Sequence, residues 1–138
     1  MSASASTEQG DRLLLDTHAL LWWLAEPDRL SAKAHAAIQD SSNQVLVSAA
    51  SAWELATKVR LGKLEIASQL LAELPEVLTS QGFDLLPIQF SHGLRAGGYQ
   101  QLHRDPFDRL LAAQAELEHL TLVSLDSALQ AFPCQLLW

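Results

Sequence analysis

The stretch RLLLDTHALLWWLA, residues 12–25, sets the frame of the fold. Arg12 to Leu15 form a short apolar run without alternation, the pattern of a strand buried on both faces. Asp16 follows at once, and Thr17 to Ala25 reads as a helix rich in Leu and Trp that stops near Pro27. The same order repeats along the chain. Gln44 to Ser48 (QVLVS), Phe83 to Pro87 and Leu120 to Ser124 (LTLVS) read as further strands, and Gln135 to Trp138 as a last, edge strand. Between them, helices are predicted over 32–39, 51–61, 68–80, 91–97, 105–118 and 126–131. Ser31 is a suitable N-cap and Gly62 a natural residue just past a helix end. Pro75, lacking an amide donor, predicts a kink or two short helices within 68–80. This alternation gives a doubly wound α/β sandwich with a parallel sheet and right-handed crossovers. Ligands in such sheets bind beyond the carboxyl ends of the strands, where the strand order reverses.

Composition narrows the function. With 138 residues, 49% of them apolar, one domain over 12–138 is expected, preceded by a flexible tail over 1–11. No apolar run approaches the roughly 18 residues that cross a bilayer, and the first residues lack the apolar core of a signal peptide. Cys134 is the one cysteine, which leaves no intrachain disulfide and no multi-cysteine metal site. A small buried residue in a reducing cytoplasm is the expectation for it. The net charge of −7 argues against a protein that grips nucleic acid by charge alone.

Four of the acids matter more than the total. Asp16 directly follows the first strand, and Asp126 comes two residues after LTLVS. Glu54 and Asp108 each fall one turn into a helix. All four are predicted at one edge of the sheet, or at helix N-termini facing it. Each also has a purely structural explanation. Asp16 and Asp126 suit the caps of the helices they precede, and Glu54 stands in a capping-box spacing with Ser51. Asp105 looks like an N-cap, Pro106 a first-turn proline, and Asp108 an acid favoured by the helix dipole. Together these explanations lose force, because four unpaired carboxylates at one edge repel one another. A cation relieves that repulsion, and oxygen-only donors select Mg2+ or Mn2+ over Zn2+. Ions so held lower the pKa of water and neutralise charge on a scissile phosphodiester.

Five segments, in this order and spacing, carry a resemblance: LLLDTHALLWWL (13–24), RLS (29–31), VSAASAWELATKVRLGKL (47–64), HRDPFDRLLAAQA (103–115) and LVSLDSAL (122–129). The chain resembles the PIN-domain family, and within it the VapC-type toxins of bacterial toxin–antitoxin pairs. The resemblance implies a three-layer α/β/α sandwich around a parallel, Rossmann-like sheet. It also implies ribonuclease activity with Mg2+ or Mn2+, a cognate antitoxin as inhibitor, and a homodimer. By position Asp16, Glu54 and Asp108 match the family's three principal acids, and Asp126 the more variable fourth. Thr17 and Ser124 match small hydroxylic positions beside the metal; many relatives have Thr where Ser124 stands.

Other residues are weighed against this frame. Lys58, Arg60 and Lys63 form a basic cluster, with Lys58 a candidate for RNA contact. Arg104 and Arg109 flank the DPFD turn and could meet phosphate, although Arg109 could equally pair with an acid on its own helix. His103 reads as a structural loop histidine, and His18 as a packing or hydrogen-bonding residue. Trp22 and Trp23 are about 100° apart on a helix, so one of them is a candidate for a partner surface. A non-enzymatic receiver-like module of flavodoxin-like fold is the alternative. It needs paired acids after the first strand and a late lysine, whereas Asp16 stands alone and no lysine follows Lys63. A phosphatase of the haloacid-dehalogenase kind needs Asp-x-Asp where this chain has Asp16-Thr17-His18.

Overall fold

A computed structural model describes residues 10–66 and 68–138. Most of the tail expected over 1–11 therefore lies outside the described residues.

Five parallel strands form one sheet: β1 (Arg12–Leu15), β2 (Gln44–Ser48), β3 (Asp84–Leu86), β4 (Thr121–Val123) and β5 (Gln135–Leu137), in the order β3-β2-β1-β4-β5. β1 is central, its Leu14 lying between Leu46 of β2 and Leu122 of β4. The order reverses between β1 and β4, since the chain winds outward through β2 and β3 and then returns to β4 and β5. That gap is the predicted ligand-binding crevice. Flavodoxin-like sheets run 2-1-3-4-5, so this order excludes the receiver-like alternative.

Alternate side chains build two cores, one on each face. Leu13, Leu15, Val45, Val47 and Val123 meet α1 (Thr17–Ala25), α2 (Ala32–Gln39) and α5 (Leu74–Ser80) on one face. Leu14, Leu46 and Leu122 meet α6 (Phe90–Gly98) and α7 (Pro106–Leu117) on the other. Leu13, Leu14 and Leu15 are all fully buried, which is why β1 reads as an unbroken apolar run.

α3 (Ala49–Arg60) begins immediately after β2, and its N-cap is Ser48, whose hydroxyl accepts from the Ala50 amide. The expected start at Ser51 and its capping box with Glu54 are therefore incorrect. Ser51 is inside the helix and Glu54 lies in the second turn, both buried. The end of α3 fits the sequence. Gly62 takes φ of 72°, the Gly62 amide donates to Val59 O and the Lys63 amide to Lys58 O, closing the helix and turning Lys63 back toward it. The 68–80 stretch divides at Glu73 into α4 (Ser68–Ala72) and α5, with Pro75 in the first turn of the second. The last predicted helix is a short 3-10 turn, Ser127–Ala131. No described helix is long and apolar enough to cross a membrane.

Neither Trp22 nor Trp23 forms an open surface. Trp22 is buried, and half-buried Trp23 packs on the same core while donating to Gln81 Oε1 at 3.0 Å. The exposed apolar side chains lie elsewhere, with Phe90 84% and Leu94 67% exposed on α6. Cys134 is half-buried, and burial pushes its thiol up to about 11, consistent with an inert packing residue.

Candidate active site

Each acid is fixed by the helix start or packing around it. Asp16 emerges from β1 at the crevice, and its own amide donates to Val123 O of β4, tying it to both strands. Its Oδ1 caps α1 by accepting from the Ala19 amide at 2.7 Å. Asp126 lies just beyond β4 on the other side and caps the 3-10 turn through Oδ1 and the Ala128 amide at 2.9 Å. Its amide donates to the hydroxyl of buried Ser124 at 3.1 Å. Asp108 sits in the first turn of α7, a helix capped by Asp105 through the amides of Phe107 and Asp108. The sequence assignment of Asp105 as the N-cap matches this arrangement.

Glu54 reaches the same place from α3. Its Oε1 accepts the Thr17 hydroxyl at 2.5 Å, and Thr17 also contacts Ser51 Oγ at 3.1 Å. Thr17 thus ties α1 to α3 in addition to following Asp16. The other carboxylate oxygen meets Lys58 Nζ at 2.8 Å, an i,i+4 pair along α3. Lys58 is therefore engaged with an acid rather than standing free. With His18, Lys63, Leu21, Leu55 and Leu64 it lines a cavity of about 270 Å³ next to Thr17.

The electrostatics mark Asp16, Glu54 and Asp108 as neighbours. Burial, the largest influence, pushes the Asp16 carboxyl above its ordinary range; the Ser124 hydroxyl, the Ala19 amide and His18 oppose the shift, and Glu54 adds to it. Burial likewise raises Asp108 to about 6; the His103 hydrogen bond opposes this, while Asp105 and Glu54 reinforce it. The protein's own cations leave this cluster under-compensated. Buried, mutually repelling carboxylates with oxygen donors are what a hard divalent cation fits.

The sign of that shift gives a testable pH dependence. A carboxyl raised on folding contributes stability that is fully present below its unfolded pKa and lost as pH rises through the folded one. For Asp108, raised from 3.8 to about 6, the loss corresponds to on the order of 3 kcal/mol. In EDTA the wild type is expected to lose stability between about pH 4 and pH 6.5 more steeply than Asp108→Asn, as measured by urea unfolding. Parallel pH profiles would remove the assigned burial effect.

Two further residues gain definite partners. His103, read as a structural loop histidine near the site, does lie in a loop and places Nε2 2.8 Å from Asp108 Oδ2. Arg109 turns away from the cleft. Its guanidinium donates to the carbonyls of Ala96, Tyr99, Gln101 and His103 at 2.7–2.9 Å. These bonds fix the strap between α6 and α7, so a part for Arg109 in RNA contact is dropped. Arg104 remains exposed on that strap.

A parallel α/β sheet with Asp16 and Asp126 standing where its strand order reverses defines a Rossmann-like domain. The PIN domain pattern matches residues 13–133, and the chain belongs to the PIN domain family. Ribonuclease VapC22 of Mycobacterium tuberculosis is 31% identical over 122 residues, covering 86% of this chain and 90% of that protein. Ribonuclease VapC16 of the same organism is 39% identical over 57 residues, 41% of this chain and 40% of that protein. The fold is shared with VapBC2 of Rickettsia felis, solved with a promoter DNA fragment: TM-score 0.68, 16% identity, 92% of this chain and 98% of that one. It is also shared with FitAcB of Neisseria gonorrhoeae, at TM-score 0.59 and 21% identity, over 91% of this chain and 96% of that one.

Proposed function

We propose that residues 12–138 form a single metal-dependent endoribonuclease domain, the toxin of a toxin–antitoxin pair, acting in the cytoplasm. What supports this reading is a PIN domain chain in which Asp16 and Asp126 follow the two strands where the order reverses, while Glu54 is close enough to both Asp16 and Asp108 to raise their carboxyls. The likeness to two ribonucleases named VapC supports RNA as substrate.

Asp16, Glu54, Asp108 and Asp126 would hold Mg2+ or Mn2+. When bound, such an ion supplies charge neutralisation at a scissile phosphate and activates water for attack on it. The remaining roles belong to the chain. Thr17 orients Glu54, and Ser124 fixes the backbone at Asp126 while its hydroxyl favours ionised Asp16. Lys63 and exposed Arg104 give the rim positive charge where the phosphate backbone of RNA approaches, while Lys58 is paired with Glu54.

A cognate antitoxin and a second copy of the chain are the proposed partners. Their support is twofold: the VapBC2 and FitAcB structures that share the fold, and two apolar surfaces, the exposed Phe90 and Leu94 of α6 and a groove of about 510 Å³ walled by Ala52, Ala56, Leu71, Leu78 and Leu85. Basic or amide side chains of an antitoxin segment would complement the acidic cleft.

The purified chain incubated with total RNA is expected to cleave it with Mg2+ or Mn2+ and to stop when EDTA is added. Cleavage undiminished in EDTA would overturn the metal-dependent mechanism, and no cleavage with either ion would overturn the enzyme assignment.

A further inference from the structure

We infer that His103 is a nitrogen ligand of the metal centre, joining Asp108 and Asp126 to form a mixed nitrogen–oxygen half-site that favours a first-row transition ion over Mg2+. This rests on the metal-dependent reading above, but its test does not require RNA.

Donor atoms from His103, Asp108 and Asp126 all lie within 4.8 Å of one another, the one such metal-competent group of three among the described residues. Two donors on adjacent corners of an octahedron, each about 2.1 Å from the ion, stand about 3 Å apart. His103 Nε2 and Asp108 Oδ2 are 2.8 Å apart, held by a hydrogen bond whose proton an ion bound by both atoms would displace. Asp126 Oδ1 is taken by the Ala128 amide, so Oδ2 is its free donor.

The histidine is held for this task independently of its ring. Its carbonyl accepts from Arg109 at 2.8 Å, and its ring stands edge-on to Phe132 with centroids 6.0 Å apart. Its side chain is 22% exposed, which leaves one open side. Asp16 and Glu54, on the other side of the cleft, offer oxygen only. Imidazole binds Co2+, Ni2+ and Mn2+ more readily than strongly hydrated Mg2+, so the two halves of the cleft differ in ion preference.

The chain loaded with Mn2+ is expected to show histidine-nitrogen modulation in its electron spin-echo spectrum. That modulation is expected to vanish in His103→Ala and to persist in His18→Ala. By calorimetry, His103→Ala is expected to weaken Co2+ binding by about tenfold or more. Its Mg2+ affinity is expected to stay within about threefold of wild type, since the carboxylates remain. Mn2+ bound without nitrogen modulation in the wild type would overturn the inference and leave the nuclease assignment standing. Equal losses for Co2+ and Mg2+ would overturn it too, reducing His103 to a residue that orients Asp108. Failure of the wild type to bind Mn2+ at all would remove both the inference and the metal-dependent reading. The wild-type spectrum decides even if His103→Ala does not fold.

Discussion

Asp16→Asn is expected to lower RNA cleavage about a thousandfold, the loss of some 4 kcal/mol of transition-state stabilisation, while the chain stays folded. The separation of the two effects follows from the double use of Asp16. One oxygen caps α1 through the Ala19 amide, and asparagine caps a helix as well as aspartate does. What the variant loses is charge in a buried position beside Glu54. Burial penalises ionised Asp16, so the neutral amide is expected to leave metal-free stability unchanged or slightly raised. Cleavage assays paired with thermal melts check both halves. Cleavage within about tenfold of wild type would remove Asp16 from the metal centre. Lost cleavage with a collapsed melting transition would reduce it to a structural cap.

The second large effect is on stability and comes from a residue outside the acid cluster. Arg109→Ala is expected to destabilise the fold by about 3 kcal/mol, because charged hydrogen bonds contribute about 1.5–3 kcal/mol each and solvent replaces only some of them. Four carbonyls between Ala96 and His103 lose their shared donor. For a domain of this size the melting temperature is expected to fall by roughly 6–12 °C. Arg109→Lys is expected to recover only a small part, since a point ammonium cannot reach four diverging acceptors. A urea midpoint close to wild type for Arg109→Ala would show that water serves those carbonyls equally well. Cleavage is expected to fall as well, because the strap carries His103 and leads into the first turn of α7, where Asp108 sits.

The sequence was most legible where short-range chemistry decides. Unbroken runs such as RLLL and QVLVS announced strands buried on both faces, and Asp105-Pro106 announced the start of α7. Acid positions relative to strand ends were enough to place Asp16 after β1 and Asp126 after β4, on the two sides of the reversal. The start of α3 was misjudged because Ser48 and Ser51 both suit an N-cap. The direct passage from β2 into helix, with no intervening loop, selects Ser48. The partners of Arg109 and His103 were not legible for a different reason. Their roles depend on where the carbonyls of the strap and the Asp108 carboxylate converge in space, which no local pattern encodes. The i,i+4 spacing of Glu54 and Lys58 was a visible signal for their pairing, obscured by reading Lys58 only as part of a basic cluster.

The capping bonds at Asp16 and Asp126 have a kinetic consequence for the cleft. Each carboxylate is locked in one rotamer by an amide of its own helix start, at 2.7 and 2.9 Å. Folding has therefore already removed the side-chain freedom that an incoming ion would otherwise have to freeze. An ion held as proposed above would require little rearrangement of these two side chains, and its capture would be limited by its own dehydration. The converse would hold for its loss. Fraying of the first turn of α1 or of the 3-10 turn releases an aspartate from its amide, so the escape of such an ion would be coupled to the opening of those two turns.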